Sequence, residues 1–294
     1  MLLMVESFIK YLQFEKRFSP HTVTAYTNDL HQLSDFLATT FDLPKIEEAQ
    51  HPHLRNWVVS LMDAGLTPRS VNRKIVSIKS FFKFLQRREL IEINPATRLK
   101  SLRVPKDLPN FVKEPEMNDL LEMMKFSEDF EGHRDKLMLE LLYATGMRLS
   151  ELIGLTDLSI NKYDKTIKVL GKRNKERIVP LHKEVLVQIE QYNQLKNTMV
   201  VKSDKLLITN SGNDLYPQFV YTTVKKYLSQ VTTLSKTSPH VLRHTFATHL
   251  LNKGADLNAV KDLLGHASLA STQVYTHNSI EKLKAVFDQA HPKA

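Results

Sequence analysis

Tyr275 stands in the sequence among groups that could help it attack a phosphodiester. Between Pro239 and His277 the chain reads PHVLRHTFATHLLNKGADLNAVKDLLGHASLASTQVYTH, which places His240, Arg243 and His266 upstream of that tyrosine. A phenolate attacking a phosphodiester needs cations and hydrogen-bond donors around the phosphate, because negative charge builds on the non-bridging oxygens in the transition state. One arginine and two histidines near one tyrosine meet that need. With a reference pKa near 10, a tyrosine must lose its proton as it attacks. A neighbouring histidine and a phosphate oxygen are both able to take it. Tyr216, Tyr221 and Tyr227 have no comparable cationic company in the sequence.

A second arginine stands further back, in ATGMRLSEL over 144–152. Arg148 follows Gly146 at the end of an apolar helix, and Ser150 with Glu151 begins the next. Such a junction can aim a guanidinium into a cleft or pair it with Glu151. The alternative for the histidines is a metal. His240, His244 and His249 share a stretch, but a zinc-protease helix has Glu directly after its first His, and here that residue is Val241. With no cysteine in the chain, thiolate-bound zinc, disulfides and a thiol nucleophile are excluded. His244 and His249 are read as packing or helix-orienting residues.

These side chains need a frame. Ser238-Pro239 supplies a cap and a first-turn proline for a helix that puts His240 and Arg243, three apart, on one face. His266 follows Gly265 at another helix end. TIKVL (166–170) and ERIVPL (176–181) are short β-rich runs joined through GKRNK, a hairpin with Gly171 at its turn. Pro115–Met124 and His133–Thr145 read as helices, Lys205–Thr209 as a further strand, and three or four more helices fill the rest. Beyond Tyr275, Ile280, Leu283, Val286 and Phe287 recur at helical spacing.

The first hundred residues read as helices throughout. Val5, Phe8, Ile9 and Leu12 mark one, Ser19-Pro20 opens a second to about Thr39, and Pro52–Ala64 forms a third before Gly65. Thr67-Pro68 caps a fourth, over about 68–90, and Asn94-Pro95 opens a short fifth. In the fourth, Arg69, Arg73, Lys79, Lys83 and Arg87 fall on one face, opposite Val71, Ile75, Ile78, Phe81, Phe82 and Leu85. Seven basic residues and no acid stand between Asp63 and Glu89. Solvated faces usually mix signs, so this one is read as lying on DNA phosphates. SLRVPKDLPN, residues 101–110, has two prolines and no helical period, and reads as a linker.

Composition agrees with a globular nucleic-acid protein. In 294 residues, 41 Lys+Arg against 32 Asp+Glu give a net charge of +9, which favours a polyanionic partner. No run of 18 apolar residues offers a membrane span, and Glu6 enters too early for a signal peptide. The expected location is the cytoplasm.

The motifs go beyond residue types. ATGMRLSEL, HVLRHTFATHLL and LGHASLASTQVYTH resemble the three signature boxes of the tyrosine recombinase (phage-integrase) family, most of all its cellular Xer branch, and the resemblance spans essentially the whole chain. It implies a mainly α fold: an N-terminal SAM-like core-binding domain (1–102), a linker (103–110), and a mostly helical catalytic domain (111–294) with a small antiparallel sheet. It implies a catalytic set of Arg148, Lys172, His240, Arg243, His266 and the nucleophile Tyr275. Lys172, directly after Gly171, would protonate the leaving 5′-oxygen. Here Arg173 replaces a second glycine common in the family's turn, and Met147 replaces its frequent leucine. The implied chemistry is two transesterifications through a 3′-phosphotyrosine, with no ATP, metal or other cofactor. The implied partner is a short pseudo-palindromic duplex, bound either by a homo-tetramer or by a hetero-tetramer shared with a paralogous recombinase. A cell-division DNA translocase would activate it, and the tail helix would dock on a neighbouring protomer or on its own domain. A mobile-element integrase would share every one of these catalytic residues, and a relaxing topoisomerase would share the nucleophile chemistry. A non-catalytic DNA-binding protein, which could use DLNAVKDLLGHASLASTQVY as a helix-turn-helix, has no need of Tyr275 or Lys172.

Overall fold

The computed structural model describes residues 2–104, 110–171 and 175–265, and the chain divides into two compact units, Met1–Lys106 and Asp107–Ala294. The first unit is helical: α1 (Leu2–Lys10, running on as a π-helical turn over Tyr11–Glu15), α2 (Pro20–Phe41), α3 (His51–Asp63) and α4 (Pro68–Arg87). The expected caps form. Ser19 Oγ accepts from Thr22 N and Thr67 Oγ1 accepts from Ser70 N, both at 3.3 Å, and a proline follows each cap. The short helix expected at Asn94-Pro95 does not form. Asn94 Oδ1 instead accepts from Ala96 N at 2.9 Å, the local turn that competes with a helix at asparagine.

α4 carries the core of this unit. Its apolar face is fully enclosed at Val71, Ile75, Ile78, Phe81, Phe82 and Leu85, against Phe8, Leu30, Leu33 and Trp57. Arg69, Lys83 and Arg87 are exposed and Lys79 is half-buried. Three of the seven basic residues are otherwise engaged, Arg88 in an ion pair with Glu15 (2.8 Å) and Arg73 and Lys74 with Asp29. Asp29 of α2, 1% exposed, accepts from both terminal nitrogens of Arg73 (2.5 and 2.8 Å), from Lys74 Nζ (2.9 Å) and from Ser77 Oγ (2.7 Å). Lys74 is buried. Arg73 keeps 48% of its side chain exposed while its guanidinium pairs with a buried carboxylate, a partner that the sequence reading did not foresee. Val76, 54% exposed, interrupts the basic face. The chain leaving the bundle is held on α4 by Asn72, which donates to Leu102 O (2.9 Å) and accepts from Leu102 N (2.7 Å).

The second unit is built around α6 (Phe130–Thr145), buried on all sides from Leu137 to Thr145 and packed against α8 (Lys183–Lys196) and α10 (Pro239–Asn252). α5 (Glu114–Asn118, with a π-helical turn to Met123) precedes it. α7 (Leu149–Ile153), α9 (Pro217–Val231) and α11 (Leu257–Leu264) complete the described helices. A three-stranded antiparallel sheet runs in the order β1 (Ile160–Asn161), β2 (Thr166–Leu170), β3 (Glu176–Pro180), with Val169 opposite Arg177 and Ile167 opposite Val179. Gly171 N closes the hairpin on Lys175 O at 2.7 Å. The expected strand over 205–209 is reduced to isolated bridges, Lys205 with Thr156 and Ile208 with Asp214, while the two-residue β1 takes the third place in the sheet. Among the described residues no helix is long and apolar enough to cross a membrane.

Candidate active site

α6 ends where the site begins. Gly146 caps it in the left-handed region (φ +57°), and a Cβ there would stand 2.4 Å from Phe246 Cδ1 and 2.9 Å from Leu264 Cδ2. Glycine alone satisfies both the backbone and the space. The chain then turns through buried Met147 and presents Arg148 at the start of α7. Arg148 N donates to Glu151 Oε2 and Arg148 Nη1 to Glu151 Oε1, both at 2.7 Å. The ion pair with Glu151 is therefore real, yet Arg148 keeps a third of its side chain exposed (33%). Pairing and an open guanidinium coexist.

Arg243 arrives from α10. It is 8% exposed, and its terminal nitrogens donate to Gly146 O (2.5 Å) and Leu264 O (2.7 Å). Burial first, and then the nearby charges of Arg148 and Arg177, lower its pKa to about 10, so it stays cationic at neutral pH. His240, one turn earlier, is exposed on the same helix. The helix start differs from expectation, since Ser238 makes no side-chain cap and the turn closes through its carbonyl with Val241 N (2.9 Å). His249 is buried, with Tyr143 OH 2.9 Å from its Nδ1, in keeping with a packing role, whereas His244 is exposed. Lys172 and everything from His266 onward, Tyr275 included, lie outside the described residues. Gly265, which directly precedes His266 in the sequence, ends α11 in the left-handed region at φ +64°.

Two residues that the motif left without roles connect these parts. Glu151, 5% exposed, is the carboxylate on which both Arg148 and Arg177 converge, and Arg177 forks onto it through Nη1 (2.9 Å) and Nη2 (2.8 Å). Burial alone would raise the Glu151 pKa. The Arg177 hydrogen bonds and charge, with the Arg148 N–H and guanidinium, outweigh that and hold it at about 2. The signal for Arg177 was present in the sequence. It alternates with Glu176 and Ile178 and so occupies a core-facing position beside Val179, where a charge demands a partner.

The local result is three guanidiniums against one carboxylate, an excess of positive charge suited to a phosphodiester. Among the described residues no group of three His, Cys, Asp or Glu side chains is placed to hold a metal ion. The Glu151 linkage gives a first prediction. A carboxylate lowered from 4.5 to about 2 adds stability that is fully present above pH 4.5 and lost as pH falls through 2. The stability gap between the parent and Glu151→Gln should therefore narrow by about 2–3 kcal/mol from pH 6 to pH 2. The only tryptophan, Trp57, lies in the first unit, so urea unfolding is to be followed by circular dichroism. A gap independent of pH would remove Glu151 from the centre of this cluster.

The chain as a whole is similar to known proteins. Residues 110–282 match the phage integrase family, and residues 5–89 match the phage integrase N-terminal SAM-like domain. The tyrosine recombinase XerC of Chlorobaculum parvum is 37% identical, over 99% of this chain and 94% of its own length. XerC of Bacillus subtilis is 35% identical over 99% and 96%. In fold, the chain is similar to a post-cleavage crystal structure of the XerH site-specific recombinase bound to palindromic difH substrate. The TM-score is 0.74 at 22% identity, covering 95% of this chain and 82% of that one.

Proposed function

The chain belongs to the phage integrase family as a site-specific tyrosine recombinase of Xer type, an enzyme that cuts and rejoins DNA strands, and from that premise we propose the residues and steps of its reaction. One observation carries the proposal. Arg148 and Arg243, from separate helices, meet at the end of α11, from which the chain runs directly to His266 and, nine residues later, Tyr275. Arg148 and Arg243 hold the non-bridging oxygens of the scissile phosphate, with His240 and His266 as further donors. Tyr275 attacks phosphorus, forming a 3′-phosphotyrosine as the bond to the 5′-oxygen breaks, and Lys172 gives that oxygen its proton. The 5′-hydroxyl of a partner strand then attacks the phosphotyrosine, releasing Tyr275 and restoring the backbone. The bond energy is conserved in the linkage. The cellular task is resolution of chromosome dimers before division. It is carried out by a tetramer, with a paralogous recombinase as the partner and a DNA translocase as the activator, on a short pseudo-palindromic site. The test is to trap the covalent adduct on a nicked duplex and map the modified peptide, which should carry Tyr275. A modified peptide elsewhere in the chain would overturn the assignment.

The first unit is a DNA-binding domain in this reading, and α4 is its contact element. Replacing Lys79, Lys83 and Arg87 together by Gln keeps helix propensity and leaves the buried face untouched. Each phosphate that is no longer neutralised should flatten the slope of log binding constant against log salt by about 0.9, hence up to about 2.7 for the triple variant. Fluorescence anisotropy over a salt series reads this, on a cognate and a scrambled duplex. Base-reading side chains would change sequence preference instead. An unchanged slope and affinity on both duplexes would mean that α4 faces water.

A further inference from the structure

Three successive carbonyls at the end of α11 each accept from a different arginine. Leu263 O takes Arg177 Nε (2.8 Å), Leu264 O takes Arg243 Nη2 (2.7 Å), and Gly265 O takes Arg148 Nη2 (3.3 Å). The last carbonyls of a helix lack partners within it and form the negative end of its dipole, so cations are favoured there. The three arginines are nonetheless unequal. Arg148 is partly exposed, and Arg243 spends its terminal nitrogens on main-chain carbonyls beside it. Arg177 is enclosed, with 4% of its side chain exposed, and each of its three nitrogens donates to protein: Nη1 and Nη2 to Glu151, Nε to Leu263 O. Its burial, deeper than that of Arg148 or Arg243, turns it toward the protein and away from a substrate.

We propose that Arg177 is a positioning residue for strand cleavage, acting through Glu151 on Arg148 and through Leu263 on the end of α11. This rests on the recombinase reading given above. The fork fixes the plane of the Glu151 carboxylate, which in turn fixes both the backbone N–H and the guanidinium of Arg148. The Nε bond fixes the last turn of α11, and Gly265 sits on the arginine's stem, so that a Cβ there would come within 3.1 Å of Arg177 Cδ. On its other side the pair supports the hairpin. A Cβ on Gly171, the residue before Lys172, would lie 3.4 Å from Glu151 Oε1 and 3.8 Å from Arg177 Nη1. One ion pair thus touches the starting points of Arg148, of the turn carrying Lys172 and of the segment carrying His266. Without Arg177, Arg148 would become the sole counter-charge of a buried carboxylate and be drawn off the phosphate. A lysine cannot replace it, because one ammonium cannot fork onto Glu151 and reach Leu263 O together.

The test compares Arg177→Gln and Arg177→Lys in the parent and in an Arg148→Lys background, using single-turnover cleavage of a nicked cognate duplex. Arg177→Lys keeps a charge opposite Glu151, so that variant retains the fold, as a circular-dichroism melt verifies. With DNA affinity within about threefold of parent, its cleavage rate should fall by about 100-fold, and that of Arg177→Gln further. In the Arg148→Lys background the same changes should cost only about tenfold or less, because the route through Glu151 is already broken and only the one through Leu263 remains. A merely structural role would multiply the two losses. Equal factors in both backgrounds, or Arg177→Lys within about threefold of parent, would overturn the proposal. A parent chain that forms no covalent adduct would overturn the recombinase reading and this proposal with it.

Discussion

Tyr275→Phe should bind duplex DNA as the parent does and form no covalent adduct at all. The substitution keeps the aromatic ring and removes only the oxygen that attacks, so binding and chemistry separate cleanly. Incubation with a nicked suicide duplex, which lets the short fragment bearing the freed 5′-hydroxyl diffuse away, accumulates the adduct for denaturing electrophoresis. A protein–DNA band persisting in Tyr275→Phe would assign the nucleophile elsewhere. The structure narrows where else. In the second unit Tyr143 is buried and desolvation raises its pKa, with its hydroxyl against His249. Burial likewise pushes Tyr192 to about 12, and its hydroxyl accepts from Ile208 N. Tyr227 is raised by burial and by the Asp135 carboxylate to which it donates at 3.2 Å. Phenols held protonated inside a core make poor nucleophiles. Tyr163, Tyr216 and Tyr221 are exposed, and the hydrogen bonds of the arginine cluster run to Glu151 and to main-chain carbonyls rather than to any of them.

What sequence could and could not show divides along physical lines. The apolar stripe of α4 and the β2–β3 hairpin were legible because burial imposes periods of 3.6 and 2 on side-chain choice, and residue for residue those stripes are buried. Gly146 and Gly265 were legible as helix ends because a left-handed cap selects glycine. Partners supplied across the fold were not legible. Asp29 lies 44 residues from Arg73, and Arg177 lies 26 from Glu151, and no local pattern announces either pair. The basic face of α4 therefore looked freer than it is, and Arg148 seemed to need a choice between Glu151 and substrate where the fold allows both. The strand expected at 205–209 failed for a related reason. A β-rich run becomes a strand only if a neighbour of matching length lies beside it, and here bridging stops at single residues.

Arg243→Ala should slow cleavage by about 10²–10³-fold while changing DNA affinity little. Its guanidinium is held by two carbonyls, Gly146 O and Leu264 O, whose positions are fixed by a left-handed glycine and by the end of α11. A donor so preorganised does not have to reorganise when charge develops on the phosphate, and loss of one such donor costs about 3–4 kcal/mol, or about 10²–10³ in rate. Burial and repulsion from Arg148 and Arg177 make its charge costly in the absence of DNA, which is why its pKa falls to about 10. A bound phosphate offsets that repulsion, and most strongly in the transition state, where the oxygens are most negative. Binding, by contrast, draws on many phosphates across the interface, and one donor removed from the centre shifts affinity by about threefold or less. Stability is pulled both ways. Two carbonyls lose their partner, at about 1–3 kcal/mol each if left dry, while the repulsion among the arginines is relieved. A melting curve beside the single-turnover rate therefore separates a folding defect from a catalytic one. Arg243→Lys, which keeps a charge but cannot bridge both carbonyls, should fall between the alanine variant and the parent. An alanine variant that cleaves within about twofold of the parent, against the loss expected for such a donor, would remove Arg243 from the reacting phosphate and reduce it to a brace between α6 and α11.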